Sequence, residues 1–184
     1  MKIAVPTSPS RNNEPGKNSS AQISPAKMRD LIRHWYEDVL SGTIAKSGHS
    51  RAGAWDDADI NLGKLFAPDF LNNVMPAPPG GWKRGVAAAR QMIQIYRMAF
   101  PDLTINVDEL LVEGDKVTAR YTAEGTHTAS QFLNMPATAR HYKISGISIY
   151  RIENGKIAES WGLWDIYSLM LQMGHLLPGL QPRG

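Results

Sequence analysis

Two stretches decide the fold: PDLTINVDELLVEGDKVTARYTAEGTH at residues 101–127 and HYKISGISIYRIENGKIAESWGLW at residues 141–164. In both, apolar residues recur at every second position, the period of a half-buried strand. They predict four long strands, 103–112, 116–127, 141–152 and 156–164. Gly114-Asp115 and Asn154-Gly155 supply the residue types of tight hairpin turns, so each pair reads as antiparallel.

Upstream of Pro101 the period changes to that of a helix. Ser24-Pro25 is a helix start, with Ser as the cap and Pro at the first helical position. Met28, Leu31, Ile32, Trp35, Val39 and Leu40 then follow at three- and four-residue spacing, and the helix is expected to end near Gly42. A second helix is predicted over 86–100, apolar at Val86, Ala89, Met92, Ile93, Tyr96 and Phe100, and stopped by Pro101. Between them lie an expected loop (42–58), one or two helical turns near 60–66, a short strand at 70–74 and a Pro/Gly loop at 76–81. A last short helix is expected over 165–173, closing on Gly174.

Helices followed by a strand meander argue the α+β class. The expected architecture is a single cone-shaped domain, a curved antiparallel sheet with helices over its concave face enclosing a pocket. It would occupy residues 24–176, between a flexible N-terminal tail (1–23) and a C-terminal tail (177–184).

The 184 residues suit one domain, and none is cysteine, which excludes disulfides, thiolate metal sites and a thiol nucleophile. The net charge is +3, but +2 of it lies in residues 1–23 (Lys2, Arg11 and Lys17 against Glu14). The remaining body is almost neutral and has no Lys/Arg stripe, which argues against nucleic acid. No apolar run is long enough for a membrane span, and no export signal is evident, so a cytoplasmic location is expected. Ile147 and Ile149 alternate with Ser148 and Tyr150, so one strand carries apolar side chains on both faces. The second face is expected to need a partner, as in a homodimer or homotetramer.

The five histidines show no metal-ligand spacing, and no phosphate loop, dinucleotide fingerprint or Gly-x-Ser-x-Gly elbow is present. Two titratable residues remain as candidates for chemistry. Asp165 follows Trp161-Gly162-Leu163-Trp164, and strict alternation puts Ile157, Glu159, Trp161, Leu163 and Asp165 on one face. A carboxylate desolvated by aromatics has a raised pKa and suits proton transfer near neutral pH. Asp at that place is equally the cap of the last helix. His127 shares a face with Val117, Ala119, Tyr121, Ala123 and Gly125. It reads either as a donor to a ligand oxygen or as a core-edge histidine satisfied by main chain.

An ordered set of short segments carries a resemblance. They are Ala99-Phe100-Pro101-Asp102-Leu103, Glu113-Gly114-Asp115-Lys116-Val117, Gly125-Thr126-His127-Thr128, Arg151-Ile152-Glu153-Asn154-Gly155-Lys156-Ile157, Glu159-Ser160-Trp161, and Asp165 with Leu169 and Gln172-Met173-Gly174. Over residues 28–174 the chain resembles the SnoaL-like polyketide cyclases of the nuclear-transport-factor-two-like superfamily. The resemblance implies an α+β cone that closes a polyketide ring by an intramolecular aldol step. It implies Asp165 as the acid/base and His127 as the pocket histidine, with no metal and no cofactor. The expected ligand is a small hydrophobic or aromatic carbonyl compound. Candidate lining residues are Trp35, Tyr36, Asn73, Met92, Tyr96, Phe100, Tyr121, Met135 and Trp161. Two other functions suit the same scaffold: small-ligand binding without chemistry, and cofactor-free hydroxylation or hydration with Tyr36, Tyr121 or Asn73 as the polar partner.

Overall fold

The computed structural model describes residues 23–41, 61–128 and 132–175. The loop expected over 42–58, most of the N-terminal tail and the C-terminal tail lie outside the described residues. Helix α1 (Pro25–Arg33) starts where Ser24 Oγ accepts from the Lys27 N–H at 3.4 Å. It continues as a π-helical segment (His34–Leu40). The wider turn brings Trp35 and Tyr36 inward together, and both are buried. The end of this segment is tied down from a distant helix. Arg97 Nε donates to the Leu40 carbonyl at 2.9 Å and Nη2 to that of Val39 at 2.6 Å. Burial lowers the Arg97 pKa to about 10, so the guanidinium still carries its charge at neutral pH.

One turn of helix α2 (Leu62–Leu65) leads into strand β1 (Phe66–Val74). This strand is longer than the expected 70–74, because Pro68 does not end it. Pro68 sits in an edge strand where the register slips between Phe66 and Leu71, so its missing N–H breaks no central ladder. Helix α3 (Val86–Ala99) follows. Then come β2 (Thr104–Glu113), β3 (Lys116–Thr126), β4 (His141–Glu153), β5 (Lys156–Trp164) and helix α4 (Ile166–Gln172). These bounds fall within one or two residues of those predicted from periodicity.

The sheet order is β1-β5-β4-β3-β2. The meander is antiparallel throughout, but β1 pairs with β5 in parallel. The expectation of an antiparallel sheet is therefore corrected to a mixed five-stranded curved sheet. A parallel neighbour needs a long crossover, and α3 with the meander supplies it. The core lies on the concave face, where α1, the π-helical segment and α3 cover Phe66, Phe70, Val117, Tyr150 and Ile152.

A β-bulge in β5 decides which residues face that core. Ile152 pairs with Ile157, whereas Arg151 pairs with Glu159, leaving Ala158 as the extra residue. Before the bulge Ile157 faces inward. After it the parity is reversed: Ser160, Gly162 and Trp164 oppose the inward-facing Tyr150, Ser148 and Gly146. Glu159, Trp161, Leu163 and Asp165 consequently turn to the outer face. The single face expected for Ile157 through Asp165 is split at Ala158.

A carboxylate joins the entry of the meander to the far end of β3. Asp102 accepts from the Thr126 N–H and from the Thr126 hydroxyl, both at 2.7 Å. Partial burial acts to raise its pKa, but these hydrogen bonds outweigh it and hold the carboxyl below its ordinary value. A depressed folded pKa adds stability above the unfolded value of about 4, which is lost as pH falls through the folded value. Asp102→Asn is expected to flatten the acid side of the urea midpoint plotted against pH. An unchanged acid limb would remove this role from Asp102.

Candidate active site

The concave face holds two adjoining spaces. The inner one is an apolar chamber of about 60 Å³ between the helices and the sheet, lined by Met92 and Phe100 among others. It has room for a few waters or for one end of a ligand. The outer one is a groove of about 550 Å³ bounded by the Pro76–Pro79 loop, Trp82, Ile95, Phe132 and Leu133. That volume is of the size that takes a small organic molecule. Tyr96 and Trp164 line both spaces.

Among the described residues, the polar side-chain groups of the chamber are hydroxyls and the Trp164 indole N–H. Tyr150 donates to the Tyr36 hydroxyl at 2.6 Å, inside the core. Ser148 and Tyr121 are hydrogen-bonding neighbours of this pair. Tyr121 lies flat against β4 because position 146 is glycine; a Cβ there would overlap the phenol ring. Desolvation pushes the Tyr36, Tyr121 and Tyr150 pKa values up, as it does for Tyr142 and Tyr96 in the same walls. All five phenols keep their protons at neutral pH. They can donate a hydrogen bond to an oxygen, and none is a base.

Of the residues expected at the pocket, Tyr36, Met92, Tyr96, Phe100 and Tyr121 meet in the chamber. The others do not. Trp35 is fully buried behind it, edge-on to Phe66 at 4.8 Å. Met135 is buried in a tight bridge with Phe132. Asn73 is exposed on β1, donating to Glu159 at 3.2 Å. Trp161 lies on the outer face, in an apolar strip with Ile147, Ile149 and Leu163.

His127 has no exposed surface and lines neither chamber nor groove. Its N–H donates to the Arg140 carbonyl, and its own carbonyl accepts from Thr138 and Ala139. Its ring packs on Phe100 at 5.4 Å, with Nδ1 3.5 Å from the Thr138 hydroxyl.

Asp165 differs most from expectation. Its carboxylate is exposed on the side away from Trp164's cavity walls, and its Oδ1 accepts from the Ser168 N–H at 2.9 Å, capping α4. The Ser168 hydroxyl and N–H hold its pKa below the ordinary carboxylate value. The desolvated, raised carboxylate expected from the flanking tryptophans is not what this position provides, because the Ala158 bulge sends it outward. Asp165→Ala is expected to cost about 1 kcal/mol as a lost cap, and Asp165→Asn much less, since Asn caps equally well. Urea denaturation of the two variants measures this; equal losses would remove the capping role.

Tyr142, Ser148, Tyr150 and Trp164 also line the chamber and were not expected there. Three of them had a legible signal. Tyr142, Ile144, Ser148 and Tyr150 occupy alternate positions of one strand, the period that selects a single face. Among the described residues, no cluster of three His, Asp or Glu side chains is placed to hold a metal ion. None of their helices is long and apolar enough to cross a membrane.

Comparison with known proteins places this geometry. The family model of the SnoaL-like polyketide cyclases matches residues 51–173. TsrD from Streptomyces laurentii is 27% identical, with a TM-score of 0.65 over 84% of this chain and 99% of that one. IdmH from Streptomyces antibioticus, by its name a candidate polyketide cyclase, is 25% identical. It has a TM-score of 0.59 over 79% of this chain and 97% of its own. A candidate polyketide cyclase from Bacillus cereus is 28% identical, with a TM-score of 0.52 over 63% of this chain and 69% of that one. The search of curated proteins finds no match. A family match across two thirds of the chain, on a helix-covered curved sheet around an apolar chamber, makes this protein a member of the SnoaL-like polyketide cyclase family.

Proposed function

We propose that this protein binds an apolar carbonyl compound in the groove and promotes its enolisation and intramolecular aldol-type ring closure without a cofactor. The observation that carries this reading is the buried Tyr150–Tyr36 hydroxyl pair, with Ser148 and Tyr121, inside an apolar chamber that adjoins a ligand-sized groove. The chamber takes only the carbonyl end, and the body of the ligand stays in the groove. In the reaction a C–H bond beside the carbonyl breaks and its proton goes to a base, leaving an enolate. The enolate carbon bonds to a second carbonyl of the same molecule, whose oxygen takes up a proton. Negative charge builds on oxygen at both stages, and neutral phenols fixed in a dry chamber stabilise it there. The resemblance offers Asp165 as the base. For that role its carboxylate must leave Ser168 and turn to the groove side of Trp164.

A second reading has its own observation. Among the described residues, no carboxylate or imidazole lines either the chamber or the groove. That favours a protein that binds such a ligand without transforming it.

Proton exchange separates the two. Ethyl acetoacetate carries a carbon between ester and ketone, and its exchange in D₂O is followed by proton NMR. The enzymatic reading expects acceleration above the buffer rate, and binding of the probe without acceleration supports the second reading. Asp165→Asn then tests the base: exchange surviving intact in that variant removes Asp165 from the chemistry.

A further inference from the structure

Among the described residues two tryptophans line the groove, and their indole N–H groups are treated differently. Trp82 Nε1 donates to the Val74 carbonyl at 2.8 Å, which fastens the Pro76–Trp82 loop to the end of β1. Trp164 Nε1 is buried and has no acceptor among the described residues. More than nine in ten buried polar groups in folded proteins are paired, so this donor calls for an explanation. Two other buried donors are without a close acceptor among the described residues, Asn72 Nδ2 and Trp35 Nε1, the latter beside the Tyr150 hydroxyl, and neither residue lines the chamber or the groove. Trp164 lines both.

The ring also stands where the two spaces meet. It lies edge-on to Tyr96, with centroids 6.0 Å apart, and 5.9 Å from Phe132. Trp164 and Tyr96 each line both spaces, so a ligand that spans the groove and the hydroxyl pair lies against both rings. An indole N–H only donates, so its partner must be an acceptor.

From this we infer that Trp164 is a specificity-determining residue: its N–H hydrogen-bonds a carbonyl oxygen of an otherwise apolar ligand that spans the two spaces. The inference rests on the groove being the ligand site, and it adds the chemical feature that the site selects. The ligand class is an aromatic or alicyclic ketone, quinone or ester. A pure hydrocarbon of the same shape fills the groove and leaves the donor unpaired.

The test uses 1-tetralone and tetralin, which differ in one carbonyl oxygen. Calorimetric titration of the full chain is expected to show tighter binding of 1-tetralone. Trp164→Phe is expected to lose about tenfold of that preference, read as the ratio of the two affinities so that a packing change common to both ligands cancels. In ¹⁵N-labelled protein the indole signal missing from the variant is assigned to Trp164. It is expected to shift when 1-tetralone binds and to stay in place with tetralin. A variant that keeps the full preference, or a Trp164 signal that ignores 1-tetralone, overturns the role of Trp164 and leaves the hydroxyl-pair reading standing. Wild-type protein that binds neither compound overturns both.

Discussion

Tyr150→Phe is expected to slow the protein-catalysed deuterium exchange of ethyl acetoacetate by about 10²–10³-fold, the usual effect of deleting one oxyanion donor. The variant keeps the ring, and with it the edge-on contact to Tyr36 at 5.9 Å and 79°. Only the hydroxyl that donates to Tyr36 at 2.6 Å is removed. Stability is expected to fall by only about 1 kcal/mol, because Ser148 and Tyr121 remain as partners for Tyr36. Rate and fold are therefore separable in a single variant. Tyr36→Phe is expected to have an effect of the same size. The double variant should lose much less than the product of the two, since both act through one hydrogen-bonded pair. Burial pushes both phenols up, so neither ionises near neutral pH. The exchange rate should then show no limb from these tyrosines between pH 6 and 9. A folded Tyr150→Phe protein that exchanges the probe at the wild-type rate would refute the oxyanion role.

Gly85→Ala is expected to be the most destabilising of the small substitutions, by about 2–6 kcal/mol. Gly85 precedes α3 with φ +62° and ψ −151°, a conformation open to glycine and strained for other residues. That strain costs about 1–3 kcal/mol by itself. A Cβ there would also overlap the Pro68 carbonyl oxygen, which is main chain and cannot swing aside. Overpacking of this kind adds about 1–3 kcal/mol. The approach is this close because the Gly85 N–H donates to the Phe70 carbonyl at 2.9 Å, docking the start of α3 on β1. That docking sets Met92 and Tyr96 over the chamber, so the variant should lose ligand affinity along with stability. Thermal unfolding measures it, and a shift smaller than that of Asp165→Ala would show that the helix entry relaxes freely.

Most of the fold was legible in local pattern. The strands from Thr104 to Trp164 repeat with period two, and the helices end at prolines and glycines with direct backbone consequences. The part of β1 before Phe70 was not legible, because a proline reads as a stop until an edge position accommodates it. The parallel pairing of β1 with β5 joins segments some 90 residues apart and has no local signature.

The candidate site was legible on one side only. Tyr36, Met92, Tyr96, Phe100 and Tyr121 could be placed from helix faces and one strand. Asp165 could not, because alternation counts residues and cannot see Ala158 bulge out of the ladder. One extra residue exchanges the faces of everything after it. It brings Trp164 into the cavity wall and sends Trp161 and Asp165 outside.

By itself, the amino-acid order determined the α+β class, the four-strand meander, the helix limits and a chemistry free of cysteine, since each follows from residue type and short spacing. Tertiary structure alone decided the parallel edge, the burial of a Trp164 N–H that has no acceptor among the described residues, and the hydroxyl pair. Tyr36 and Tyr150 stand 114 residues apart in sequence, and only the packing of the π-helical segment on β4 brings their hydroxyls to 2.6 Å.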